Sequence, residues 1–134
     1  MLERRFPRDI GALPAIFDFV AEFAAEHGLS DDQRFDADLI VEELFTNMVK
    51  YNVGGVEDIS IGLNRNGAQM TLTLRDFDVA PFDPTRSATS ATGRDEAPRG
   101  GGRGLHLVHC VADEVRYDYR DRNSTITVTK RLAT

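Results

Sequence analysis

Residues 40–51, Ile-Val-Glu-Glu-Leu-Phe-Thr-Asn-Met-Val-Lys-Tyr, constrain the chain more than any other stretch. At about 100° per residue, Ile40, Val41, Leu44, Phe45, Met48 and Val49 fill roughly half of a helix circumference, while Asp36, Glu43, Asn47 and Lys50 gather on the other side. One face is core and the other is free for chemistry. Glu43 and Asn47, four residues apart, project the same way from successive turns. An Asn amide oxygen suits Mg²⁺, a cation that keeps most of its waters and draws further ligands from phosphates. A neighbouring carboxylate can take the proton of an incoming hydroxyl or water. The same residues equally suit a solvated helix face, so the segment alone leaves both readings open.

The flanking residues delimit this helix. Ser30-Asp31-Asp32-Gln33 is a capping box, with Ser30 at the N-cap and Gln33 at N3, and it starts a helix predicted from about Asp31 to about Tyr51. Asn52-Val53-Gly54-Gly55 breaks it. Upstream, Leu2–Phe6 suits a short edge strand stopped by Pro7, and Asp9 is a plausible N-cap for a helix through Ile16, Phe19, Val20 and Phe23 that ends at His27-Gly28. That helix can begin at either Ile10 or Pro14.

Downstream the period changes from helical to alternating. Ile59, Ile61 and Leu63, then Asn66-Gly67, then Met70, Leu72 and Leu74 predict an antiparallel hairpin with one apolar face. Leu105, Leu107, Val108 and Val111 read as a third helix. Val115, Tyr117 and Tyr119, a turn at Asp121-Arg122-Asn123, and Ile126 and Val128 among threonines predict a final hairpin. Hairpins with segregated helices imply an α+β fold, a two-layer sandwich whose mostly antiparallel sheet is covered on one face by about three helices. A chain of 134 residues suits one domain, 1–134.

Residues 77–103 are rich in Pro, Gly, Ser, Ala, Thr and Arg and lack an apolar period, which marks a long functional or disordered loop. It ends in Gly100-Gly101-Gly102-Arg103-Gly104, just before the third helix. Glycines leading into a helix N-terminus offer exposed amides and the positive end of the dipole to a phosphate, although such tracts also serve as linkers. The net charge of −6 argues against nucleic acid or an anionic membrane as partner, so positive charge for a phosphate has to be concentrated locally. Arg86, Arg94, Arg99 and Arg103 supply it. The single cysteine, Cys110, lies in an apolar run and is expected to be a buried structural thiol. With no signal-like N-terminus and no long apolar span, the expected location is cytoplasmic.

Three features occur in order: the Glu43/Asn47 helix, Asp76 followed by Pro81-Phe82-Asp83-Pro84, and the glycine tract opening a helix. Together they resemble the N, G1 and G2 boxes of the GHKL ATPase superfamily. Within it, Pro-Phe-Asp-Pro, Gly-Arg-Gly-Leu-His-Leu-Val and Asp113-Glu114-Val115-Arg116-Tyr117 look like the bacterial anti-sigma factor serine/threonine kinases. The resemblance covers nearly the whole chain.

The resemblance implies ATP and Mg²⁺ as cofactors, Glu43 as general base, Asn47 as the Mg²⁺ ligand and Asp76 as the carboxylate that accepts from the adenine amino group. It also implies that Gly102 and Gly104 lie over the phosphates beside Arg103 and Leu105, with residues 77–103 as the ATP lid. Thr46 and Lys50 are second candidates for contacts. The implied partners are a sigma factor and a STAS-type anti-anti-sigma protein phosphorylated on Ser or Thr, with a homodimer as the implied assembly. One departure stands out. The family has Asp-x-Gly where this chain has Asp76-Phe77-Asp78, with one extra residue before Phe82. The missing glycine implies either a side chain crowding the base or a rearranged loop, and leaves both Asp76 and Asp78 as candidates for base recognition. A weakened pocket corresponds to the alternative function, a GHKL-fold module that sequesters a regulatory partner with little turnover. A detached histidine-kinase catalytic domain fits the boxes too, but no dimerisation helix with a phosphoacceptor is present in this sequence.

Overall fold

The computed structural model describes residues 2–51, 55–80 and 108–132. Its strands are β1 (Leu2–Phe6), β2 (Ile59–Asn66), β3 (Gln69–Asp76), β4 (Glu114–Arg120) and β5 (Asn123–Arg131), and its two long helices are α1 (Leu13–Glu26) and α2 (Asp31–Tyr51). Residues 108–111 add one further helical turn. The five strands form one sheet in the order β1-β2-β3-β5-β4, and every pairing is antiparallel. The predicted α+β class therefore holds.

α2 begins where the capping box places it. Ser30 N–H donates to Gln33 Oε1 at 2.8 Å and Gln33 N–H donates to Ser30 Oγ at 3.1 Å, so two amides that the helix cannot satisfy internally are satisfied by each other's side chains. The two possible starts of α1 both leave a trace: a 3-10 turn covers Ile10–Ala12 and the α-helix follows at Leu13, with Pro14 in its first turn. Asp9 precedes the 3-10 turn and makes no side-chain cap bond. Gly28 ends α1 at φ +65° while Leu29 N–H reaches back to the Ala24 carbonyl at 3.0 Å, the left-handed C-terminal cap expected of glycine.

Both hairpin turns differ slightly from their predicted positions. Asn66 pairs with Gln69, so the first turn is Gly67-Ala68, with Gly67 at φ +64° in the first turn position as a type II′ turn requires. Arg120 pairs with Asn123, so the second turn is Asp121-Arg122, and both residues have positive φ, 51° and 65°. A type I′ turn has that signature, and Asn123 belongs to β5.

The core lies between the helices and one face of the sheet. Phe19, Phe23, Phe45, Ile16, Ile40 and Leu44 from the helices meet Ile59, Ile61, Leu63, Leu72, Leu74, Ile126 and Val128 from the strands, nearly all fully buried. Cys110 corrects the expectation of a buried thiol. It is exposed, because Val108 and Val111, three positions apart, take the inward side of that helical turn and residue 110 faces out. No helix among the described residues is long and apolar enough to cross a membrane. Truncating the buried ring in Phe45→Ala is expected to cost about 3–5 kcal/mol in urea denaturation, and Ser30→Ala only about 1 kcal/mol, because the first leaves a cavity and the second one amide without its cap.

Candidate functional site

The second half of α2 and the end of β3 meet at one edge of the core. Asn47 is only 4% exposed, although its position opposite the apolar stripe predicts a solvated residue. Its Nδ2 donates to the Glu43 carbonyl at 3.0 Å, so the amide nitrogen is committed to the helix backbone and Oδ1 is the atom a cation would meet. Glu43, one turn earlier, is partly buried. Burial pushes its carboxyl above the usual glutamate pKa, the neighbouring Glu42 pushes it further, and Lys50 opposes both. Lys50 is exposed and Thr46 half-buried. A base poised above the ordinary carboxylate range and an amide oxygen on the same helix face are a suitable pair for activating a hydroxyl beside a cation-bound phosphate.

Asp76 supplies the third group. It continues the inward parity of Met70, Leu72 and Leu74, which makes it a carboxylate aimed at the core, and it is fully buried. The Arg8 guanidinium answers its charge through a direct Nη2 to Oδ1 contact and donates from Nη1 to the Met48 carbonyl at 3.2 Å. One arginine from the link between β1 and α1 therefore ties the end of β3 to the α2 turn that carries Asn47. Gly55 closes over this pair. A Cβ there would come within 2.5 Å of the Arg8 guanidinium and 2.9 Å of the Val79 side chain, so a larger residue would have to displace the ion-paired arginine.

Asp78 lies elsewhere. It is exposed, its backbone is left-handed at φ +54°, and its Oδ1 accepts from Arg122 Nε at 2.8 Å. Of the two aspartates, Asp76 is the one placed beside Asn47's turn of α2, and Asp78 turns out to the β4–β5 hairpin. Gly102, Arg103, Gly104 and Leu105, and all but the first four residues of the expected lid, fall outside the described residues.

Arg8 was not among the candidates read from sequence. Only the inward parity of Asp76 hinted at it, since a buried carboxylate needs a cation or several donors, but parity does not say which cation. Among the described residues no group of three or more His, Cys, Asp or Glu side chains is placed to hold a metal. A surface hollow of about 460 Å³ between Asn66, Gln69, Asp113 and Arg131 is at the opposite end of β3 and contains none of these groups.

The chain matches the model of the histidine kinase-like ATPase domain over residues 6–130. It belongs to that family. Among curated proteins none matches this histidine kinase-like ATPase domain by sequence. Its fold is similar to part of a structure of the RsbU and RsbW domains of Rv1364c from Mycobacterium tuberculosis, with a TM-score of 0.70 at 17% identity over 99% of this chain and 32% of the other. This chain thus spans about a third of that one. The SiaB–SiaC complex from Pseudomonas aeruginosa gives a TM-score of 0.61 at 14% identity, covering 97% of this chain and 89% of the other. The histidine kinase domain of a blue-light-activated kinase from Erythrobacter litoralis gives 0.54 at 13% identity, over 94% and 61%.

Two consequences of the geometry are measurable. Removing the cation in Arg8→Ala takes away the guanidinium that faces the buried Asp76 carboxylate and is expected to cost about 3 kcal/mol of unfolding free energy, whereas Arg122→Ala on the exposed pair should leave stability nearly unchanged; urea titration of both compares them. For Glu43, a raised carboxyl pKa means a stabilising contribution that is present at low pH and lost as pH rises through the raised value. Glu43→Gln is therefore expected to melt slightly higher than the native chain at neutral pH, with the difference vanishing near pH 4, in thermal scans at both pH values.

Proposed function

We propose that this protein is an anti-sigma factor type serine/threonine kinase, which binds Mg-ATP and phosphorylates an anti-anti-sigma partner of the STAS type. By switching between that partner and a sigma factor, as a homodimer in the cytoplasm, it would regulate transcription. The observation that carries the proposal is a buried Asn47 one turn after a partly buried Glu43 on α2, with Arg8 joining the next residue's carbonyl, that of Met48, to the buried Asp76, in a chain of this family. The likeness to RsbW and SiaB domains agrees with it at the level of fold.

The roles follow from the chemistry of each group. Asp76, held by Arg8, accepts from the exocyclic amino group of adenine at the floor of the site. Asn47 Oδ1 holds Mg²⁺ together with nucleotide phosphates and waters, and that ion, when bound, neutralises charge on the transferring group. Glu43 orients the Ser or Thr hydroxyl of the partner and takes its proton. The resemblance assigns the phosphates to Gly102, Arg103, Gly104 and Leu105, with Thr46 and Lys50 as second candidates for contacts. A second reading, a partner-binding module with little turnover, draws on one observation: Arg8 already engages the carboxylate that adenine would use.

Isothermal titration with ATP, with and without Mg²⁺, on the native chain and Asn47→Ala decides between them. The kinase reading expects saturable binding that depends on Mg²⁺ and weakens at least tenfold in the variant, a loss of about 1.4 kcal/mol or more. No saturation at millimolar ATP would leave the binding module standing. In phosphotransfer assays, Glu43→Ala is expected to lose about 10²–10⁴-fold in rate, and the acid limb of the native pH–rate profile should fall above the ordinary glutamate pKa.

A further inference from the structure

Residues 77–80 connect the buried Asp76 to the chain beyond, and they are fastened along one side. Asp78 N–H donates to Asn123 Oδ1 at 3.2 Å, Arg122 Nε donates to Asp78 Oδ1 at 2.8 Å, Val79 N–H donates to the Arg122 carbonyl at 2.9 Å, and Tyr119 Oη donates to the Val79 carbonyl at 2.7 Å. All three partner residues stand at the tip of the β4–β5 hairpin. Ser124, next in sequence, is the cross-strand neighbour of Asp76 itself. Across the segment, Val79 is fully buried, close to Gly55, and the Arg5 guanidinium lies 4.5 Å from the centre of the Phe77 ring.

The hairpin tip is shaped for this contact. Asp121 and Arg122 both adopt positive φ, and such a type I′ turn directs the Arg122 carbonyl and the Asn123 amide toward residues 78 and 79. The segment in turn adopts φ +54° at Asp78, a conformation that glycine enters freely and aspartate only with some strain. The strain is offset by bonds that exist only in that conformation.

We propose that the β4–β5 turn is a positioning element for the base-recognition carboxylate: Tyr119, Arg122 and Asn123 hold residues 78 and 79 in the left-handed path that a glycine would otherwise supply. Asp76 thereby keeps its place and the Asp78 side chain is carried away from it. The inference rests on the reading of Asp76 as the adenine acceptor. It makes Tyr119 and Asn123 determinants of nucleotide affinity although neither touches the nucleotide. The Arg122–Asp78 ion pair, more than half exposed on both sides, is a minor contributor beside the bonds to backbone.

A two-background cycle tests it. Tyr119→Phe with Asn123→Ala is made in the native chain and again in an Asp78→Gly chain, and ATP affinity is measured by titration calorimetry while hydrogen exchange at the Val79 amide is followed by NMR. The expected result is about a tenfold loss of affinity and faster Val79 exchange in the native background, with less than about a threefold loss beside Gly, which holds the path unaided. Equal losses in both backgrounds would show a general structural effect and overturn the inference. So would an unchanged affinity. Failure of the native chain to bind ATP at all overturns the proposed kinase and this role together, and that outcome is distinct, since the native titration itself is then flat.

Discussion

A buried carboxylate at the end of an apolar strand needs a counter-charge or several hydrogen-bond donors, and Arg8 supplies a counter-charge. Much of the site follows from that one requirement. The guanidinium reaches Asp76 from the β1–α1 link and bonds the Met48 carbonyl, so the strand end, the helix and the N-terminal segment are held at one point. The helix turn bearing Asn47 has little freedom to move away from Asp76 while this contact persists. Gly55 shows how closely the contact is enclosed, because even a methyl group there would collide with the guanidinium. The arrangement also places a cation against the very oxygen-bearing group assigned to the base. On the proposed reading, a nucleotide would have to share that carboxylate, and the shared charge would set how strongly it could hold a neutral amino donor.

Substitution of the family's glycine by Asp78 illustrates how a local rule can be broken and repaired at a distance. Asp78 itself adopts the left-handed backbone that glycine enters freely. The repair comes from a hairpin tip some forty residues on, whose type I′ turn is formed by two further residues at positive φ. Three non-glycine residues in left-handed backbone within one cluster are uncommon, and here Arg122 bonds Asp78 and, through its carbonyl, the Val79 amide.

Legibility in the sequence followed the strength of local signals. The Ser30–Gln33 box and the break at residues 52–55 placed α2 because capping acts through bonds between near neighbours. Alternation found β2 through β5, and the turns were misplaced by a residue because Asn66-Gly67 and Asp121-Arg122-Asn123 each admit more than one turn frame, with cross-strand pairing making the choice. Glu43, Asn47 and Asp76 were legible as a pattern, but not the burial of Asn47, since a helical wheel distinguishes core from the opposite face and does not report that a strand end roofs part of that face. Arg8 and the Tyr119–Asn123 clamp were invisible for a common reason: each acts across long separations in the chain, and nothing in the residues near Pro7 or Asp121 marks them as partners of β3's end. Cys110 misled because an apolar run was taken as wholly inward, while a helical turn must show some of it to solvent.

The strand order has a bearing on how the protein is made. β5 sits between β3 and β4, yet it follows both of them in the chain, so the strand beside the central β3 is supplied last, by residues 123–131. A ribosome-bound chain that has released α1, α2, β2 and β3 still lacks the strand that covers the open edge of β3 and the Ser124 that faces Asp76. Until it emerges, β3 presents an unpaired edge and an apolar face with half its neighbours missing, the kind of surface on which chaperones act and non-native strands add. The surroundings of Asp76 would thus be among the last parts to form during synthesis, and a nascent chain would gain them in one step rather than by degrees.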